Sequence, residues 1–93
     1  MRKQKFQEEG QKMIRSINTH FFDGEKFIEY CTEDDFEYPV RLGDKFMIIT
    51  NDLCIQGVLH DIDVDEKTFV IRKLDGELRQ LKCSDVIECE KLD

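Results

Sequence analysis

The chain predicts a mainly β domain: a small five-stranded barrel preceded by an N-terminal α-helix. Two observations predict the barrel and a third predicts the helix. From Leu42 onward every apolar run is strand-length: KFMIIT (45–50), LCIQGVLHDIDV (53–64), TFVIRKL (68–74), ELRQLKC (77–83) and VIECE (86–90). The first four runs each end in a turn signal, in order Asn51-Asp52, Asp65-Glu66-Lys67, Asp75-Gly76 and Ser84-Asp85. Short strands at this even spacing mark an all-β sandwich or barrel. Ahead of them Phe6, Met13, Ile14 and Ile17 recur at helical spacing, with Gly10 on the same stripe.

Taken in order, residues 1–18 are the helical unit, with the helix over 4–17 and Glu8, Glu9, Lys12 and Arg15 off its apolar stripe. Residues 19–41 hold a hairpin or a short helix, followed by an acidic connector. Asp23-Gly24 is a hairpin dipeptide flanked by aromatic and β-branched residues. Phe27, Ile28 and Cys31 fit a short helix from Glu25 equally well, so periodicity leaves both open. Thr32 to Asp35 is a polar turn cluster, and Pro39, the sole proline, holds Tyr38 extended. Residues 42–93 are the barrel. Gly57 interrupts its longest strand, where a glycine marks a bulge or a bend. The expected core is Phe46, Ile48, Leu53, Ile55, Phe69, Ile71, Leu81 and Ile87.

Ninety-three residues make one domain. A chain of this length buries only about 60–65% of its unfolded surface, so oligomerisation would assist it. Lys and Arg number 14 against 21 Asp and Glu, for a net charge of −7, and the sequence pI is near 4.8. Each phosphate contact needs a cation, so this balance argues against direct nucleic-acid binding. No apolar run approaches the ~20 residues of a membrane span. The basic start, Arg2, Lys3 and Lys5, is followed by polar Gln7, Glu8 and Glu9 rather than by the apolar core of a signal peptide. The expected location is therefore cytoplasmic.

The four cysteines, Cys31, Cys54, Cys83 and Cys89, form no Cys-x-x-Cys pair, and three fall in expected strands. Free cysteine there behaves as a small buried hydrophobe, so reduced structural thiols and no metal are expected. The run Asp61-Ile62-Asp63-Val64-Asp65-Glu66 is not a calcium loop. Such a loop needs Gly at its sixth position and Glu at its twelfth, and Glu66 and Arg72 stand there. With no phosphate loop, nucleophile elbow or His-Glu-x-x-His run, neither a cofactor nor an enzyme activity is expected.

The stretch GVLHDIDVDEKTFVIRKLDGELRQLKCSDVIECE (57–90) carries Gly57, Ile62-Asp63, an apolar strand from Lys67 to Ile71, Asp75-Gly76, and Asp85-Val86-Ile87-Glu88. It resembles the barrel half of YolD-like proteins of Gram-positive bacteria and their phages, and its outline is similar to Sm-like and SH3-like barrels. The resemblance covers about a third of the chain, without the Trp-containing N-terminal segment of that family. It implies a non-enzymatic accessory role, loosely tied to DNA-damage polymerases, and no catalytic residues.

The most unusual local composition lies between Phe21 and Tyr38. Seven acids and one lysine fall between residues 23 and 37, and six of the nine aromatics lie between 21 and 38. Aromatic residues are favoured at interface cores, and carboxylates around them steer a basic partner. The candidate partner-binding residues are Phe27, Tyr30, Asp34, Asp35, Phe36 and Tyr38. The function expected is an acidic interaction module, an adaptor or inhibitor docking on a basic protein surface. The bland alternative is that these aromatics seal the fold. A second function reading pairs protomers around a nucleotide-like ligand, held by Arg41, Arg72, Arg79 and Lys82.

Overall fold

The computed structural model describes residues 14–33 and 36–92, and over them the chain is mainly β, in two antiparallel sheets. The smaller sheet runs β1 (Ile14–Phe22), β2 (Glu25–Thr32), β3 (Glu37–Arg41) in that order. The larger holds β4 (Lys45–Ile49), β5 (Cys54–Asp63), β6 (Thr68–Lys73), β7 (Leu78–Lys82) and β8 (Glu88–Leu92), ordered β7-β6-β5-β4-β8. A single 3-10 turn, Cys83–Asp85, links β7 to β8. The five apolar runs are thus the five strands of the larger sheet. Among the described residues no ladder joins β7 to β8, so the sheet does not close into a hydrogen-bonded barrel. No helix among the described residues is long and apolar enough to cross a membrane.

The expected N-terminal helix is corrected where it can be followed. Residues 14–17 begin β1, and residues 4–13 lie outside the described residues. The spacing of Ile14 and Ile17 has a specific cause. The β1–β2 register shifts between Ile14 and Ser16, so Arg15 is an extra, bulged residue. A bulge adds one residue to one strand, so Ile14 and Ile17, three apart, both point to the core side. Ile14 faces buried Thr32 across the ladder and Ile17 faces buried Tyr30.

The choice between hairpin and helix falls to the hairpin. Asp23 and Gly24 both have positive φ, 57° and 78°, as a two-residue type I′ turn requires. Strand pleating then splits β2. Ile28, Tyr30 and Thr32 are buried, while Phe27, Glu29 and Cys31 are turned to the outer face. Pro39 sits in β3 at the edge of the smaller sheet, where a missing N–H is tolerated.

One core serves both sheets. It joins Ile28, Tyr30 and Val40 of the smaller sheet to Phe46, Ile48, Ile55, Leu59, Ile62, Phe69, Ile71 and Leu81 of the larger. Of the expected core, Leu53 only packs partly buried against this cluster, and Ile87 is likewise half-buried. Polar staples tie the sheets together. The Thr19 hydroxyl donates to the Val64 carbonyl at 3.1 Å. Lys26 Nζ donates to the Ile62 carbonyl at 2.9 Å and to Asp61 at 3.2 Å. The Lys91 backbone N–H of β8 donates to the Tyr30 hydroxyl at 2.9 Å.

Gly57 does not mark the bulge of β5. The register shift lies between Leu59 and Asp61, at His60. Gly57 instead marks a close approach. A Cβ there would overlap the Arg72 carbonyl oxygen and lie 2.7 Å from Ile71 Cγ2.

Candidate interaction face

The outward face of the smaller sheet follows from its register. Across the three strands, residues opposite one another form rows: Phe22 with Glu25; His20 with Phe27 and Arg41; Asn18 with Glu29 and Pro39; Ser16 with Cys31 and Glu37. Three diagonals cross these rows. The middle one is apolar, Phe22–Phe27–Pro39. On one side runs Glu25–Arg41, with Arg41 Nε 3.5 Å from Glu25 Oε2. On the other runs His20–Glu29–Glu37, with His20 Nε2 3.4 Å from Glu29 Oε1. Diagonal neighbours on a twisted sheet lie within reach of long side chains, and the two ion-pair distances agree with that geometry. His20 also stacks on Phe27, centroids 5.3 Å apart and planes at 22°. Phe22 is 74% exposed at the end of the apolar diagonal.

The structure divides the expected partner-binding residues. Phe27 lies at the centre of the outward face. Tyr30, one pleat away, is 4% exposed, stacked between Tyr38 at 5.1 Å and Phe46 at 6.0 Å. Tyr30 is therefore a core residue. Burial raises its phenol to about 12, against the opposing hydrogen bond from the Lys91 N–H. Tyr38, opposite Tyr30, points the same way and packs partly buried against the core. Phe36 is 63% exposed just before β3. Asp34 and Asp35 lie outside the described residues. The acidic-aromatic stretch is thus half core and half surface.

The four cations of the ligand reading do not converge. Arg41 lies on the outward face of the smaller sheet. Arg72 faces outward on the larger sheet, opposite Val58 and Leu78. Arg79 faces the other way, opposite the buried Ile71, and lies 3.8 Å from Glu77. Lys82 is level with Thr68, at the other end of β6 from Arg72. Within one protomer an anion cannot touch all four.

Two thiols and one carboxyl are shifted by their surroundings. Burial pushes the Cys83 thiol up and the Cys89 thiol far up, which leaves both poor nucleophiles. The Asp61 carboxyl is held below its ordinary value, first by the Ile62 N–H and then by Lys26. Among the described residues no three His, Cys, Asp or Glu side chains are grouped to hold a metal. An open groove beside β1 is lined by Ile14, Ile17 and Val86 with Lys67 and Lys82 at its wall. Lys67 Nζ donates to Asn18 Oδ1 there at 3.2 Å.

Sequence reasoning passed over His20, Phe22, Glu25, Glu29 and Pro39 as members of one face. The signal was present. Once Asp23-Gly24 is a type I′ turn, Phe22 must face Glu25 and His20 must face Phe27. Comparison of the chain with protein-family models, with curated proteins and with solved structures finds no match.

Proposed function

We propose that this chain is a non-enzymatic acidic protein-interaction module, an adaptor or inhibitor, which docks on a basic surface of a partner protein. The observation that carries the reading is the outward face of the smaller sheet. It pairs an apolar diagonal, exposed Phe22 leading to half-buried Phe27 and Pro39, with carboxylates on either side. Large exposed apolar groups rimmed by charge are what interaction sites present. Glu25 is paired with Arg41, and Glu29 and Glu37 add two further carboxylates to the face. Long-range attraction to a basic surface speeds encounter, and aromatic anchors supply affinity. The larger sheet supports the finer fold reading. Its β7-β6-β5-β4-β8 order and the 3-10 turn before its last strand fit an SH3-like or Sm-like barrel in open form. The YolD-like resemblance of residues 57–90 fits a non-enzymatic accessory role.

Titration calorimetry with an acetylated, amidated peptide of alternating arginine and glycine tests the reading. Phe22→Ser, and Glu29→Gln combined with Glu37→Gln, are each expected to weaken binding about tenfold or more. The melting temperature should stay within about 4 °C of the parent, because these side chains contribute little to the core. Undiminished binding by both variants would remove this face from consideration.

A further inference from the structure

Four strands end the two sheets: β1 and β3 of the smaller, β7 and β8 of the larger. Three of these edges are interrupted or capped. β1 carries the bulge at Arg15, β3 contains Pro39, and in β8 the Lys91 N–H is taken by the Tyr30 hydroxyl at 2.9 Å. Bulges, prolines and covering groups are the means by which proteins protect an edge strand. β7 has none of these three. Its residues, Leu78–Lys82, pair with β6 without a register shift and include neither proline nor glycine. Among the described residues no strand pairs with its outer side. We infer that β7 is the interface through which two copies of this chain associate, edge to edge and antiparallel, about a twofold axis at Gln80.

The backbone fixes the register. The Lys73 N–H donates to the Glu77 carbonyl at 2.9 Å and the Cys83 N–H to the Lys67 carbonyl at 3.0 Å, so Glu77 and Cys83 turn backbone groups toward β6. Antiparallel ladders alternate bonded and unbonded pairs. Arg79 and Leu81 therefore bond to β6 as well, while Leu78, Gln80 and Lys82 turn their N–H and C=O groups to the open edge. Two such edges match when Gln80 meets Gln80 of the second copy and Leu78 meets its Lys82. Every outward N–H then finds an outward carbonyl. The side chains agree. Lys82 lies opposite a leucine and not opposite a like charge, and its aliphatic stem covers Leu78, which is 52% exposed. Across the sheet, Arg79 falls opposite Leu81 of the second copy, beside a cleft lined by Thr50, Asp52, Leu53 and Asp85. Those two carboxylates complement the incoming guanidinium. Centring the pair on Arg79 instead would set two guanidiniums opposite each other, which is unfavourable. The outward face of the smaller sheet takes no part, so this inference is independent of the docking reading, and a dimer carries that face twice.

The test is sedimentation equilibrium of the full chain, without peptide, combined with backbone amide exchange by NMR. A single strand edge is a small interface, so self-association with a Kd of about 10–100 μM is expected. The weight-average mass should climb from the 11.1 kDa of one chain toward twice that value as concentration rises through this range. Gln80→Pro removes an outward N–H and no bond to β6, and Leu78→Lys sets a cation opposite Lys82 of the second copy. Each should weaken association about tenfold or more. Leu78 is half exposed in the single chain, so Leu78→Lys keeps the test open should the proline variant fail to fold. At high concentration the Gln80 and Lys82 amides should exchange more slowly in the parent than in Leu78→Lys. A parent that keeps the single-chain mass up to about 1 mM would overturn the inference. So would a dimer that survives Leu78→Lys undiminished, or one in which the Gln80 and Lys82 amides exchange as fast as in the single chain. Each of these outcomes leaves the docking reading standing, because the peptide is absent from the experiment.

Discussion

The two sheets share one core but treat their outward faces differently. On the larger sheet, apolar side chains that point outward are flanked by long polar neighbours. Met47 is 8% exposed, with Gln56 of β5 on one side and Glu90 of β8 on the other. Val58 lies between Lys45 and Arg72 and is half-buried. Its large exposed apolar groups, Leu74 and Leu78, are confined to the β6–β7 hairpin end. The smaller sheet has only three strands, so the outward residues of its two edge strands, Phe22 and Pro39 among them, have a neighbouring strand on one side only. There exposed Phe22 continues into half-buried Phe27, stacked on His20, and half-buried Pro39 as one apolar line. The difference teaches where to look for a partner on this domain: at apolar surface that the chain's own strands leave bare.

Breaking the larger sheet should have the greatest effect. Ile71 is fully buried at the centre of β6, and Ile71→Ala is expected to cost about 2–5 kcal/mol in urea denaturation. Gly57→Ala adds a single methyl group yet meets the Arg72 carbonyl and Ile71. It should cost about 1–3 kcal/mol by forcing β5 and β6 apart. A neutral result would mean that the two strands do not approach as closely as their register implies.

The junction between the sheets comes next. Tyr30→Phe removes the hydroxyl that accepts the Lys91 N–H and should cost about 1 kcal/mol. The same group predicts a pH dependence. Its folded-state phenol is raised to about 12 from the ordinary 10.0. Between these values the unfolded chain has released the proton while the folded one retains it, so stability falls as pH rises from about 10 to about 12. That contribution is fully present below pH 10. Tyr30→Phe should flatten this part of the alkaline limb relative to the parent, and an unchanged limb would place the tyrosine in water.

The smallest effect on stability belongs to the outward face. Phe22→Ser is expected to shift stability by no more than about 0.5 kcal/mol, in contrast to the core change one strand away. If Phe22→Ser destabilised the domain as much as Ile71→Ala, the face would be part of the fold and the comparison would collapse.

Much of the larger sheet was legible in the sequence because each of its first four strands is followed by a turn signal, and the turn fixes the register. Residues 45–49, 54–63, 68–73, 78–82 and 88–92 fall almost where the apolar runs place them. The smaller sheet was harder to read. The bulge at Arg15 gives Ile14 and Ile17 a spacing of three, which imitates a helix. Phe27, Ile28 and Cys31 imitate another, although Phe27 and Ile28 point to opposite faces. Composition flagged the acidic-aromatic stretch correctly as unusual but could not say which of its aromatics face inward. That assignment depends on one turn, Asp23-Gly24: shifting it by a residue would exchange Phe27 with Ile28 and Glu29 with Tyr30. Gly57 illustrates the same limit. Its presence signalled a backbone constraint, and only the neighbouring strand reveals that the constraint is contact and not a bulge.

Hydroxyl-radical footprinting of the aromatic side chains, with and without the arginine–glycine peptide, tests the division between core and face most directly. In the free protein Phe22 should be oxidised readily and Phe27 partly, while Tyr30 is protected. Adding the peptide at pH 7.5 should protect Phe22 and Phe27 and leave Leu74 and Leu78 as reactive as before. Oxidation of Tyr30 at a rate matching Phe22, or peptide protection that appears at Leu74 and Leu78 and not at Phe22 and Phe27, would contradict the account.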